Sequence, residues 1–266
     1  MTLEMEFVVV AICALFASGL TMFSGFGLGT LLLPVFALFL PVELAVAATA
    51  LVHGANNVLK VGLLGKLADF KLVVHFGVPA ILAAFGGVYV LKLLSGMPEL
   101  WTYSLLGRQA VVTPLKLAMA SLMTVFAVLE LHPRFAKLTI DRRWLPLGGV
   151  LSGFFGGLSG HQGALRSAFL AKVGISPQAF VGTNAVIGLL VDLARISAYA
   201  GMLFGARLTD LARSREGALI AAGALAAFAG VILGKRVLHR LTMTTVQRIT
   251  GGLLLLIALL LGLGAV

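Results

Sequence analysis

Residues Gly157–Leu170 read GLSGHQGALRSAFL and place His161, Gln162 and Arg166 among small and apolar residues, with hydrophobic runs on both sides. An arginine at depth in a bilayer costs several kcal/mol, of order 3, unless something pairs with it or hydrates it. The glycines around it mark an interrupted helix. A second stretch, Ser24–Gly29 (SGFGLG), interrupts the first apolar run in the same way. Bare backbone inside a membrane is tolerated only where it is buried in protein or lines a cavity. Two such breaks, each leading into a short apolar run, are therefore candidate site positions and set the architecture.

The composition supports a membrane setting. Hydrophobic residues make up 60% of the 266 and charged residues only 11%, where soluble domains hold about a quarter charged. Mean hydropathy is +1.07. Apolar runs of the roughly 20 residues needed to cross a bilayer recur along the chain and lack the alternation of barrel strands. The fold class is an all-α polytopic membrane protein. The net charge of +10 reads as basic cytoplasmic loops rather than nucleic-acid binding. Cys13 is the one cysteine, so neither a disulfide nor a cysteine metal site is expected. The start, MTLEMEF, has Glu4 and Glu6 and no basic n-region, which argues against a cleaved signal peptide. No cofactor or metal motif and no Walker A sequence is present, and the bilayer itself is the implied partner.

The apolar runs group into two similar halves. The first has Phe7–Met22, the break, Thr30–Leu40, and then helices near Val42–Lys60, Phe70–Lys92 and Val111–Leu131. After a polar connector the second has a short run to Phe155, the break at Gly156–Gly163, a short run to Lys172, and helices near Pro177–Met202, Gly217–Gly234 and Val246–Leu263. Ala45, Thr49 and Gly54 fall opposite Ala179, Thr183 and Gly188, and Leu82–Val88 resembles Leu225–Val231. Residues 1–131 form a first transmembrane repeat, 132–146 a cytoplasmic connector and 147–266 a second repeat. If each broken pair is a hairpin returning to its starting side, twelve of the basic residues fall on one side and five on the other; a full crossing divides them ten to seven. The positive-inside rule favours the hairpin. Three further crossings then invert the second repeat and leave both termini outside, the architecture of secondary transporters with sites at helix breaks.

The polar residues cluster by position. Short helices after the breaks point N–H groups and a positive dipole end at whatever lies in front of them, which suits an anion, although the glycines also serve simple tight turns. Arg166, near the start of the second short helix, needs an offset that either a bound anion or an acidic residue such as Asp192 supplies. His161 and Gln162 can donate to the same oxygens or satisfy backbone carbonyls. Thr49, His53, Asn56 and Lys60 share one helical face, with Asn57 beside it. Asn184, Asp192, Arg195 and Tyr199 line another, next to Thr183. Asp192 and Arg195 at i, i+3 suit a structural ion pair. His53 is a candidate proton carrier or a hydrogen-bonded packing residue.

The pattern F-S-G-F-G-L-G-T-L-L-L-P (Phe23–Pro34), followed by AVAATAL (Ala45–Leu51), resembles the glycine-rich signature of the sulfite exporter TauE/SafE family, also called the 4-toluene sulfonate uptake permease family. Its second copy is S159-G160-H161-Q162-G163 with F180-V181-G182-T183-N184. The resemblance implies an inner-membrane carrier, in a bacterial cell, for sulfite, thiosulfate or organosulfonates. It places Gly25, Gly27, Gly29, Gly160 and Gly163 at the site, with Thr49 and Thr183 facing it. Leu28, His161 and Gln162 stand where that pattern has glycine, Ala168 stands where it has a second proline, and Arg166 is outside it.

The resulting expectation is a non-enzymatic secondary transporter of a small anion, working by alternating access, with protons as the candidate coupling ion. An anion channel or an accessory membrane subunit is the alternative. The tetrapeptide G157-L158-S159-G160 also resembles the serine motif of rhomboid intramembrane proteases. Catalysis there needs a histidine at hydrogen-bonding distance; His161 is only two residues away and His239 falls near a membrane edge.

Overall fold

The computed structural model of the chain describes residues 3–24, 28–105, 107–132, 140–170, 173–205, 208–237 and 243–266. Helix α1 (Leu3–Ser24) and the short α2 (Leu28–Ala37) are followed by α3 (Val42–Leu64), the single turn α4 (Phe70–Leu72) and α5 (Val78–Ser95). Strands β1 (Trp101–Leu105) and β2 (Arg108–Val112) lead into α6 (Pro114–Leu131). Then come α7 (Leu145–Ser159), the short α8 (Gly163–Leu170), α9 (Pro177–Tyr199), α10 (Leu208–Arg213), α11 (Arg215–Val237) and α12 (Met243–Gly262).

Local chemistry fixes several of these ends. Thr113 and Ser176 cap α6 and α9 by accepting from the backbone N–H of Lys116 and Ala179, and a proline follows each cap at the first helical position. Asp69 caps α4 by accepting from the N–H groups of Lys71 and Leu72. Between α4 and α5 the helix widens into a π-turn at Val73–Gly77. Pro79 has no N–H to offer the carbonyl four residues back, which is where such a widening is accommodated.

Among the described residues, five helices are long and apolar enough to cross a membrane: Val42–Leu67, Phe70–Ser95, Pro114–Leu131, Pro177–Leu203 and Arg215–Leu233. Helix α12 counts only as a shorter apolar helix, Gln247–Gly262. Leu82, Leu225 and Ile232 stand largely exposed on the outside of the bundle, as lipid-facing side chains do. The chain is a multi-pass helical membrane protein. Hydropathy did not mark the antiparallel β1–β2 hairpin, which pairs Trp101 with Val112 and Leu105 with Arg108. It also moves the start of α6 from the expected Val111 to Pro114. Five-residue strands rich in polar and aromatic residues carry too little apolar pattern to register. The hairpin is held by the chain end: Tyr103 Oη donates to the Leu263 carbonyl at 2.8 Å, and Val111 N to Gly264 O at 3.1 Å.

Four helix pairs build the bundle. Helix α1 runs alongside α11 in the same direction, with Val10 against Gly223 and Leu15 against Gly230. Helix α5 runs alongside α7 in the same direction, with Phe76, Ala80 and Ala84 against Gly149, Gly153 and Gly157. Helices α3 and α9 run in opposite directions, because Gly54 meets Asp192 while Leu64 meets Gly182. Helices α6 and α12 are also opposed, with Leu131 against Gly251 and Ala120 against Gly262. Helix α2 packs on α1, α3 and α12, and α8 packs on α7 and α9.

Small residues let these backbones touch, as membrane helices require in the absence of a hydrophobic drive between them. A methyl group on Gly153 would stand 2.0 Å from the Ala80 carbonyl oxygen, so the α5–α7 pair must separate to admit it. Gly153→Ala is expected to lower thermal stability in detergent by about 1–3 kcal/mol. The control Gly62→Ala, where nothing lies within 4 Å, is expected to change it by less than about 1 kcal/mol, in the stabilising direction.

Candidate functional site

The second break is built on a left-handed residue. Gly160 ends α7 with φ +78°, and its N–H bonds the Gly156 carbonyl at 3.0 Å. An L side chain would strain that conformation, so glycine is what turns the chain into α8. The first break approaches the same point: a Cβ on Gly29 would lie 3.1 Å from the Gly160 carbonyl oxygen, near Thr49 and His53. Gly25 and Gly27 lie outside the described residues.

Asp192, fully buried in the middle of α9, organises what surrounds these tips. Its Oδ2 accepts from His53 Nδ1 at 2.6 Å and from Asn57 Nδ2 at 2.9 Å, both on α3. Its Oδ1 accepts from Gln162 Nε2 at 2.8 Å, in the break, and from Arg195 Nε at 3.0 Å, with Arg195 Nη2 in ion-pair contact at 2.8 Å. At 2.6 Å from a carboxylate, His53 Nδ1 must carry the proton. Asn57 Nδ2 lies 3.1 Å from the same nitrogen, so that approach is two donors converging on one oxygen. A carboxylate offers about four acceptor sites, and all are taken.

That saturation decides where Arg166 goes. Its guanidinium, on a residue 2% exposed, donates from Nε to Asn184 Oδ1 at 2.7 Å and from Nη1 to Gln162 Oε1 at 3.2 Å. Both partners are neutral amides. Gln162 thus stands between charges of opposite sign, with its N–H toward Asp192 and its carbonyl toward Arg166; Ser152 Oγ holds its backbone carbonyl at 2.9 Å. Arg195 reaches on from Asp192 to the Gly156 carbonyl at 2.9 Å, and Tyr199 Oη donates to the Gly157 carbonyl at 2.6 Å. These two bonds meet carbonyls at the end of α7. Lys60 is buried on the face of α3 that carries His53 and feels the positive charge of Arg166.

Not every expected residue joins the cluster. Thr183 Oγ1 instead accepts from the Asp69 backbone N–H at 2.9 Å, and Asn56 accepts from Ser18 Oγ of α1 at 2.7 Å. Thr49 directs its hydroxyl to the Ala45 carbonyl at 2.8 Å and turns its methyl toward Gly29 and Gly160. Ser159 and His161, treated in sequence as too close to pair, do meet: Nδ1 lies 3.1 Å from Oγ. The hydroxyl, however, donates back to the Phe155 carbonyl at 3.0 Å, so the imidazole donates to serine rather than activating it. The His161 ring stacks on Phe126 at 4.8 Å between centroids and 7° between planes, and its Nε2 has no partner. Nothing in an apolar run marks Phe126 in advance. The place of Tyr199 on the face of Asp192 and Arg195 was the available signal for its role.

A cavity of about 440 Å³ lies elsewhere, between the ends of α2 and α5 and the starts of α3 and α6, with Glu43 and Lys116 in its wall. None of the cluster residues lines it, so it is separate from the cluster. A model of the sulfite exporter TauE/SafE family matches residues 10–261 of the chain. No curated protein and no solved structure matches it.

Removing the acceptor should reveal the cost of the buried cation it serves. Asp192→Asn is expected to destabilise the protein by about 3–5 kcal/mol, because Arg195 is left without its counter-charge. The double substitution with Arg195→Gln should recover part of that loss in thermal unfolding; an additive pair of losses would show that the two residues are not coupled.

Proposed function

The chain belongs to the sulfite exporter TauE/SafE family, and from that premise we propose that it is a secondary transporter of a small sulfur oxyanion or organosulfonate, carried at the cluster between the two helix breaks. The observation that carries this reading is Arg166: a buried guanidinium held by two amides while the nearby carboxylate is already saturated. With Arg195 balanced by Asp192, the cluster keeps an excess positive charge before Lys60 is counted. A bound anion offsets it.

The inverted repeat is supported by how the helices pair. Exchanging α1, α2, α3, α5 and α6 for α7, α8, α9, α11 and α12 leaves the set of principal pairs unchanged: α1–α11 becomes α7–α5, while α3–α9 and α6–α12 map onto themselves. The self-mapped pairs are antiparallel, which is what a two-fold axis lying in the membrane plane produces. The approach of Gly29 to Gly160 supports two hairpins whose tips meet near the midplane. Each principal pair joins one helix from each repeat, so alternating access then amounts to these pairs shifting against one another around the cluster. Burial of Arg166, Gln162, His161 and Asp192 favours such a carrier over a continuously open pore. In that cycle the residues that bind are Arg166, Gln162, Asn184 and, once its Nε2 carries a proton, His161. Gly29 and Gly163, in the first turns of α2 and α8, supply backbone N–H groups.

The test is uptake into proteoliposomes of labelled sulfite, thiosulfate, a sulfonate and acetate. At least one sulfur anion is expected to enter in preference to acetate; equal or exclusive acetate uptake overturns the reading. Arg166→Ala is expected to insert normally and to weaken anion affinity about ten- to a hundredfold, the scale of one charge-assisted hydrogen bond. Unchanged affinity removes Arg166 from the site.

A further inference from the structure

Glu130 takes no part in the cluster, yet among the described residues it is the other acid buried within a membrane-spanning segment. It lies at the end of the span Pro114–Leu131, is 6% exposed, and its Oε1 has no hydrogen-bond partner. An ionised carboxylate in that position is among the most costly groups a bilayer protein can hold, whereas the protonated acid is far cheaper. Its side chain also stays inside the bundle at a helix end, where a long polar group ordinarily reaches out toward the interface.

Its neighbours give the position a direction. One turn earlier on the same face of α6, Phe126 lies flat against the His161 ring, whose Nε2 is likewise buried without a partner. Across the seam, α12 touches α6 at this level: a Cβ on Gly251 would stand 2.5 Å from Leu131 Cγ. The adjoining Thr250 is 1% exposed, and its Oγ1 also lacks a partner. Unpartnered polar atoms therefore occur on α6 and on α12 next to the residues where the two helices touch, and at the break beyond Phe126. Buried polar groups in native proteins are nearly always satisfied, so such a set calls for a functional explanation.

The other titratable and charged groups here are few. Among the described residues, α12 carries Arg248, which is exposed, and α2 carries none. The exposed His132 follows Glu130 at the end of α6. Helix α5 has Tyr89 and Lys92 near its own C-terminal end, beside the start of α6 and Lys116. From α7 and its break comes His161. None of these bonds Glu130 Oε1.

We propose that Glu130 is the proton-carrying group of the transport cycle. The carboxyl takes its proton from water on one side of the membrane and is neutral while the α6–α12 seam is closed around the loaded carrier. When the seam opens toward the other side, the O–H bond breaks and the proton leaves to water there; the emptied carrier returns as the carboxylate and takes its next proton from the first side. This rests on the transporter reading above and adds the residue through which a proton gradient drives the anion. It also gives the α6–α12 pair a part in the cycle separate from that of the Arg166 cluster.

Two measurements test it. Infrared spectra of the full chain in lipid, recorded through a pH titration, are expected to show a protonated carboxyl at neutral pH that vanishes in Glu130→Gln. Absence of that signal in the wild type, or its persistence in the variant, overturns the assignment and needs no transport at all. Proteoliposome uptake of sulfite or thiosulfate is then compared with and without an inward proton gradient, where one pH unit supports about tenfold accumulation per proton carried. In Glu130→Gln the gradient-driven component is expected to disappear, with a larger loss there than in anion counterflow; Glu130→Asp is expected to restore part of it. Equal losses in both assays, or gradient-driven uptake at the wild-type level, would mark a structural role and overturn the proposal. If the wild type moves no sulfur anion in counterflow, the transporter reading fails, while the infrared signal still decides the state of Glu130.

Discussion

One carboxylate holds the centre of this protein together. Asp192 accepts from His53 and Asn57 on α3, from Gln162 in the second break and from Arg195 on its own helix. Inside hydrocarbon each of these donors would be costly without an acceptor, and the carboxylate would be costly without them. Together they join α3, α9 and the α7–α8 break into one unit. The meeting point of α3 and α9 is set by the same contacts, since Gly54 must sit against Asp192 for His53 and Asn57 to reach it. Saturation has a further consequence: with no acceptor capacity left on Asp192, the second arginine is excluded from it and keeps its charge available.

Glycine makes that centre accessible to the backbone. At Gly160 a left-handed turn ends α7 and begins the return of α8; Arg195 adds a second donor to the Gly156 carbonyl, which also accepts from Gly160 N–H, and Tyr199 takes up that of Gly157. Along α7, the approach of α5 at Gly149, Gly153 and Gly157 is so close that main-chain carbonyls occupy the space a Cβ would need. The tight pairs and the polar centre are complementary devices. Van der Waals contact between small residues holds the helices where no hydrophobic force distinguishes protein from lipid. The hydrogen-bonded carboxylate then specifies their register.

Much of the site was legible because membrane sequences make polar residues conspicuous. The two breaks, the His53–Asn57 face, the Asp192–Arg195 spacing and the isolated Arg166 all stand out against apolar runs. What they bond to was less legible. Thr183 and Asn56 sit on the expected helices but serve Asp69 and Ser18, because a few residues along a helix turn a side chain toward a different neighbour. Ser159 and His161 are two residues apart and still meet, since a break frees the chain from helical geometry. The β1–β2 hairpin escaped notice because short polar strands leave no hydropathic trace.

Sequence alone determined that the chain crosses a bilayer several times, that it is interrupted twice by glycine-rich breaks, and that an arginine is placed beside one of them. Those properties are carried by local composition and spacing, so no tertiary contact is needed to read them. Only the tertiary structure decided that Gln162 stands between Asp192 and Arg166, that the two breaks meet at Gly29 and Gly160, and that Glu130 is buried with its Oε1 unpartnered. Each depends on which surfaces two helices far apart in sequence bring together. That choice is made by close packing of small residues across the bundle, and a linear pattern of apolar runs does not encode it.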